Sequence, residues 1–239
     1  MSNSKLATVI MLSPNHSGKR THVIDTITIH CVVGQLTAKQ IGNGFLPKTR
    51  EASSNYGIGC DGSIGLYVDE SNRSWCSSSP PNDQRAVTIE VASDKEEPYA
   101  VTDKAYNALI DLVTDICRRN GIKKLIWSTD KNKRINHIDG CNMTVHRDYN
   151  AQKSCPGTYL YDRHGDIAAK VNARLGGAKS IDTSRAIIRE IIDRYGIEIT
   201  DVERAIAALD KAKNDTSTLS LYWILHKLVN NSQKQKINI

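Results

Sequence analysis

The sequence contains no long apolar run, and no segment approaches the roughly 20 consecutive apolar residues that a membrane-spanning helix requires. The pattern of a signal peptide is also lacking, because the one short apolar run near the start, residues 7–12, is soon followed by Pro14. These absences predict a protein that is made in the cytoplasm without a signal peptide and does not insert into membranes.

Cysteine pairs with the CxxC spacing are absent as well, and so are internal repeats and low-complexity segments. Six cysteines among 239 residues are too few and too irregularly spaced for a disulfide framework. In a reducing cytosol we expect free thiols.

The charge balance is weakly basic, with 32 Lys and Arg against 26 Asp and Glu and a net charge of +6. Such a charge favours polyanions, for example nucleic acid or an anionic cell wall. The basic residues are dispersed, however, and the single cluster, KNKR at residues 131–134, is also typical of a solvated loop.

The apolar pattern of the first three quarters of the chain predicts an α/β domain with a central sheet flanked by helices. In two segments that alternate, His30 and Glu90 fall on the polar faces of their strands, so the polar side of the sheet is expected to line a cleft. The predicted strands are Val23–Val33, Ser63–Val68, Val87–Val91 and Lys124–Ser128, and the predicted helices are Thr102–Asn120 and Arg163–Leu175.

The pattern changes after Gly177, where strand-like alternation ends and three amphipathic helical stripes follow. They lie at residues 187–195, 200–209 and 221–228. We therefore predict a catalytic domain over residues 1–177 and a small all-α domain over residues 178–239, whose apolar faces pack together or against another chain.

Three residues are candidates for binding a metal ion. His30 ends the strand motif TITIHC, while His146 and Cys155 lie in TVHRDYNAQKSCPG. Two imidazoles and one thiolate suit zinc, and three protein ligands with a fourth position left open are typical of a catalytic site. Zinc lowers the pKa of a bound water to about 7, which indicates a hydrolase.

These motifs, with SSNYGIGCDGSIGLYVDE and RSWCSSSPPNDQRAVTIEVASD, carry a resemblance over roughly residues 20–175. The chain resembles the type 2 N-acetylmuramoyl-L-alanine amidases, which share a fold with the peptidoglycan recognition proteins, and most resembles endolysins of phages that infect clostridia and related Gram-positive bacteria. The resemblance implies one zinc ion per chain, bound by His30, His146 and Cys155. Other metal ligands, such as His137 with Cys141, are the weaker alternative.

The resemblance also implies catalytic roles for Tyr56, Glu90 and Lys153. Tyr56 and Lys153 are expected to hold the scissile carbonyl and its oxyanion, and Glu90 to assist the attacking water. The alternatives are that Tyr56 only walls the cleft, that Glu90 orients a histidine, and that Lys153 is a solvent-facing loop charge. Trp75 either stacks on a sugar or fills its own loop.

The function implied is hydrolysis of the amide between N-acetylmuramic acid and L-alanine by a phage or prophage endolysin that reaches the wall through a holin. A host autolysin with the same chemistry, or a peptidoglycan-binding module without catalysis, is the alternative. Such receptors typically lose the cysteine ligand, which this chain retains. The expected partner is the peptidoglycan of a Gram-positive cell wall, not nucleic acid. The C-terminal helices are expected to target the wall, with formation of a homodimer as the alternative.

Overall fold

The computed structural model describes residues 3–195, and their side chains through residue 176. The chain divides into two units, Met1–Leu175 and Gly176–Ile239. The helical stripes predicted at residues 200–209 and 221–228 lie outside the described residues, so the all-α domain stays a prediction.

A six-stranded mixed sheet forms the centre of the first unit, in the order β1-β5-β4-β7-β3-β8. The β4–β5 pair is antiparallel, and the other pairs are parallel. A separate antiparallel pair joins β2 to β6. The strands are β1 (Val9–Ile10), β2 (His16–Lys19), β3 (Thr26–Val33), β4 (Tyr56–Ile58), β5 (Ile64–Leu66), β6 (Asn72–Ser74), β7 (Ala86–Ser93) and β8 (Met143–Thr144).

Helices flank this sheet, as the sequence predicted. They are α1 (Ala38–Phe45), α2 (Pro80–Arg85), α3 (Asp103–Asn120), α4 (Lys131–Ile135), α5 (His146–Tyr149) and α6 (Gly157–Tyr195), with short 3-10 turns at Lys48–Arg50 and Ile138–Gly140. None of the helices in the described part of the chain is long and apolar enough to cross a membrane.

The core lies between one face of the sheet and α3. Ile29 and Ile89 are fully buried on that face, and Leu109 and Leu112 of α3 are buried in the same cluster. Burying an aliphatic side chain of this size contributes about 1.5–3 kcal/mol. The period-2 pattern of the strands therefore fixes which side chains enter the core and directs His30 and Glu90 to the opposite face.

Helix α3 confirms the sequence prediction at both ends. The Thr102 hydroxyl accepts a hydrogen bond from the backbone N–H of Ala105, and Gly121 ends the helix in the left-handed conformation with φ of 73°. Both are standard termini, since a threonine N-cap satisfies a free N–H and glycine tolerates positive φ.

Two predicted elements are wrong. Lys124–Ser128 is not a strand: the N–H groups of Leu125 and Ile126 donate to the side chains of Asn172 and Asn142, both at 2.8 Å, instead of to a neighbouring strand. The helix predicted to end at Leu175 begins at Gly157 and continues to Tyr195. An interior glycine costs about 1 kcal/mol, so Gly176 and Gly177 disfavour this helix without ending it.

Candidate active site

The polar face of the sheet brings His30 and Glu90 together. The two residues are register partners on the parallel strands β3 and β7, so their side chains project side by side from the same face. His30 is completely buried. Burial, with the neighbouring rings of His146 and His164, lowers the pKa of His30 well below its ordinary value, which favours the neutral imidazole that metals bind.

A short helix and the loop after it supply the other two candidate ligands. His146 is the first residue of α5, and Asp148 accepts a hydrogen bond from the Val145 N–H at 3.1 Å, which fixes the start of that helix. Asp148 also forms an ion pair with Arg134 at 2.5 Å, and both side chains are buried. Breaking a buried pair of this kind is costly, so the pair anchors the segment that carries His146.

The three side chains converge. Ligand atoms of His30, His146 and Cys155 all lie within 4.8 Å of one another. The Sγ of Cys155 is 3.4 Å from Nδ1 of His30. Tetrahedral zinc with bonds of about 2.0–2.3 Å holds its ligand atoms about 3.3–3.8 Å apart, so this pair already has the spacing that zinc requires. The donor set and its geometry therefore fit a zinc ion.

Cys155 has a second contact that fixes its sulfur. The backbone N–H of Cys31, the residue after His30, donates to the Cys155 Sγ at 3.3 Å. Burial raises the pKa of the Cys155 thiol well above its ordinary value, the side chain and charge of Cys31 and the charge of Glu90 acting in the same direction. A bound cation reverses this tendency, because a coordinating thiol is deprotonated.

His146 is oriented by a serine that sequence reasoning missed. The Oγ of Ser78 lies 2.9 Å from Nε2 of His146, which leaves Nδ1 as the nitrogen available to a metal. Ser78 adopts a positive φ of 63°, a conformation that is uncommon for residues other than glycine. The preceding strand does not predict this contact, because Ser78 lies in an irregular loop of three serines.

Glu90 lies beside a cysteine that the sequence also gave no reason to select. The thiol of Cys76 donates to Oε1 of Glu90 at 3.8 Å. Burial raises the pKa of Glu90 to about 7, although the Cys76 hydrogen bond and the charge of Arg50 act in the opposite direction. A carboxylate with a pKa near neutrality suits proton transfer at physiological pH.

Lys153 lies in the exposed loop that precedes Cys155. The pKa of His146 is lowered to about 4, first by burial and then by the positive charge of Lys153. The ammonium group therefore acts electrostatically on the candidate metal site.

The structure does not place Tyr56 at this site, which corrects the sequence prediction. Tyr56 is the register partner of Ile89, so its ring projects into the core, on the opposite face from Glu90. Its hydroxyl donates to Glu70 at 2.6 Å and accepts the Ser4 N–H at 2.8 Å. The ring neither reaches a carbonyl at the metal site nor walls the cleft.

A different tyrosine packs on the Glu90 side of the sheet. The ring of Tyr67 covers Gly57, the neighbour of Glu90 on β4, so closely that a Cβ at Gly57 would lie 2.5 Å from the ring. The Tyr67 hydroxyl donates to the Ala38 carbonyl at 2.5 Å. Its role in the structure is thus packing.

The structure also shows the positions of the alternative metal ligands and of Trp75. Among the described residues, His137 and Cys141 belong to neither group of side chains that could hold a metal; the ring of His137 instead contacts the Cys141 carbonyl at 2.9 Å. The indole N–H of Trp75 donates to Ser17 at 2.6 Å, which ties its loop to β2.

A profile of the family described as N-acetylmuramoyl-L-alanine amidase matches residues 20–158. No curated protein matches the chain.

Two solved structures support the fold. A selenomethionine derivative of AmpD is 18% identical over 70% of this chain and 99% of its own, with a TM-score of 0.52. PlyL is 16% identical over 70% and 97%, with a TM-score of 0.50. The endolysin LysCS, an N-acetylmuramoyl-L-alanine amidase from Clostridium intestinale URNW, is 21% identical over 70% and 97%, with a TM-score of 0.44. The first two share the mixed sheet and flanking helices of this chain.

Proposed function

This chain belongs to the N-acetylmuramoyl-L-alanine amidase family, and we propose that it is a zinc-dependent endolysin of Gram-positive, clostridial cells. The bond cleaved is the amide between the lactyl group of N-acetylmuramic acid and the L-alanine of the stem peptide. Membership of this family supports the enzyme class and peptidoglycan as the substrate.

One observation carries the proposal: His30, His146 and Cys155 come together from two distant segments with their ligand atoms within 4.8 Å of one another. Retention of the thiol favours catalysis over a peptidoglycan-binding module that lacks activity. One zinc ion per chain is expected at these residues. When bound, zinc supplies Lewis-acid polarisation of the carbonyl and lowers the pKa of water.

Residues of the chain itself carry out the other steps of the reaction, and the first of these is proton transfer. Glu90 accepts a proton from the attacking water and returns it to the nitrogen of the departing alanine. Its unpartnered Oε2 supports this role, because in the described part of the chain no hydrogen-bonding group reaches that buried oxygen.

Lys153 holds the carbonyl oxygen as negative charge develops on it. A well-placed donor at such an oxygen contributes about 3–4 kcal/mol to the transition state. Ser78 keeps His146 in the orientation that leaves Nδ1 free. Tyr56 has no part in this proposal.

We also propose a route to the wall. The chain is made in the host cytoplasm and released through a holin, and residues 178–239 target the wall or form a homodimer. Tethering of this kind raises the local concentration of substrate without changing the chemistry. A host autolysin would use the same residues, so the assignment to a phage or prophage depends on genomic context.

The test is release of free amino groups from purified walls. Walls of several clostridial species and of a Gram-negative control are incubated with the full chain and with its Cys155→Ser variant. We expect amino-group release from clostridial walls by the wild-type chain alone. Binding to walls without release by either chain would instead favour the non-catalytic module.

A further inference from the structure

Three side chains form a second cluster, in which Cys76, a residue without a role in the proposed reaction, joins His30 and Glu90. His30, Cys76 and Glu90 each offer a ligand atom, and these atoms all lie within 4.8 Å of one another. Within this cluster the Cys76 Sγ and Glu90 Oε1 are 3.8 Å apart, close to the spacing of about 3.3–3.8 Å between ligands of tetrahedral zinc. Imidazole, thiolate and carboxylate are all zinc ligands.

Two atoms of this cluster are buried without a partner. Neither Nε2 of His30 nor Oε2 of Glu90 has a hydrogen-bond partner among the described residues, and His30 is completely buried. An unpaired polar atom in the interior costs about 1–3 kcal/mol. Two such atoms on neighbouring strands, beside a thiol, mark a place where a ligand relieves the cost.

The chemistry of the three groups limits which metal ions can bind to them. A thiolate selects soft or borderline ions and disfavours magnesium and calcium, which prefer oxygen ligands. We propose that His30, Cys76 and Glu90 form a second position for a thiophilic divalent cation such as zinc, cobalt or cadmium. On binding, the proton of the Cys76 thiol passes to solvent.

Only one of the two metal positions can be occupied at a time, because both require His30. A neutral imidazole has one nitrogen with a free lone pair, while the other nitrogen carries the proton. In this proposal the first set takes Nδ1, which lies 3.4 Å from the Cys155 Sγ, and the second set takes Nε2, which has no hydrogen-bond partner among the described residues. An ion in the second position therefore deprives the first of a ligand and occupies Glu90. Excess zinc is thus inhibitory, an expectation that rests on the proposed function.

The direct test is cobalt titration of metal-depleted full-length chains, since thiolate-to-cobalt charge transfer gives an absorption band in the near ultraviolet. The Cys155→Ser variant lacks the first thiolate, so we expect it to keep a thiolate band supplied by Cys76. The double variant Cys155→Ser/Cys76→Ser loses that band. The matched control Cys155→Ser/Cys60→Ser keeps it, because Cys60 lies outside both clusters.

Two results overturn the second position: a Cys155→Ser chain without a thiolate band, or a band that persists in Cys155→Ser/Cys76→Ser. A Cys76→Ser chain without a band contradicts the first set instead, because Cys155 is the thiolate that this variant retains in that set, so the two failures are distinguishable. Zinc inhibition supplies a second measurement that does not need the Cys155→Ser variants. The zinc concentration for half-inhibition, relative to each chain's own uninhibited rate, should rise at least about tenfold in Cys76→Ser, because losing a direct ligand costs no less than the roughly 10–100-fold lost with a group that only orients one. An unchanged value contradicts the proposal.

Discussion

The sulfur of Cys155 lies 3.4 Å from Nδ1 of His30, although 125 residues separate the two in the chain. The contact is made where the loop before α6 lies against β3, and the Cys31 N–H of that strand donates to the sulfur. The candidate metal site thus depends on the packing of one loop against one strand.

Tyr56→Phe should leave kcat and KM close to wild type and destabilise the fold. The change removes a hydroxyl that bonds both Glu70 and the Ser4 N–H. A buried acceptor left short of a donor costs about 1–3 kcal/mol. Denaturant unfolding and wall-hydrolysis kinetics test this, with Tyr106→Phe as the control, because the Tyr106 hydroxyl bonds the half-exposed carboxylate of Asp166. A large fall in kcat with unchanged stability would restore Tyr56 to the active site.

Lys153→Ala should keep its metal but lower kcat by about 10²–10³-fold, because a donor to the developing oxyanion acts in the transition state. Metal content by elemental analysis and steady-state kinetics are the measurements. Lys170→Ala is the matched control, since Lys170 pairs with Asp166 on the surface. Loss of metal from Lys153→Ala, with kinetics explained by that loss, would make the residue structural.

Ser78→Ala and Ser78→Gly should both weaken zinc binding by about 10–100-fold, the usual cost of losing a group that orients a metal-binding histidine. Chelator competition measures the affinity. Comparing the two variants separates the hydroxyl from the backbone, because glycine accommodates the φ of 63° without strain. If only the alanine variant loses affinity, backbone strain and not the hydroxyl is the cause.

His164 should make the zinc-saturated protein less stable in mild acid. Burial lowers the pKa of His164 to about 4, below the usual 6.5, so the unfolded chain binds the proton first. The stabilisation is therefore complete above pH 6.5 and is lost as the pH falls toward 4, by up to about 3 kcal/mol. His164→Gln should show a shallower decline in unfolding free energy over this range; parallel curves would contradict the assignment.

The sequence could predict the position of a side chain within a regular strand, but not the contacts made by irregular loops. Alternation in β3 and β7 predicted the shared face of His30 and Glu90, because side-chain direction in a strand follows from position alone. The same rule applied to β4 places Tyr56 with Ile58 on the buried side, but the role inferred from the SNYGIG motif overrode it.

Contacts made by irregular loops could not be predicted in this way. Ser78 and Cys76 lie in a loop without periodicity, and their contacts with His146 and Glu90 exist only once the loop folds over the sheet. Lys124–Ser128 has the composition of a strand, yet asparagine side chains satisfy its backbone in place of a neighbouring strand.

The most direct test of the central claim is product analysis with a defined muramoyl peptide and the metal-depleted full chain, before and after one equivalent of zinc. We predict no cleavage without metal. After zinc is added, mass spectrometry should find a peptide with a free L-alanine amino terminus together with free N-acetylmuramic acid. Cys155→Ser should remain inactive under both conditions. Equal cleavage with and without metal, or cleavage at another bond, would contradict the account.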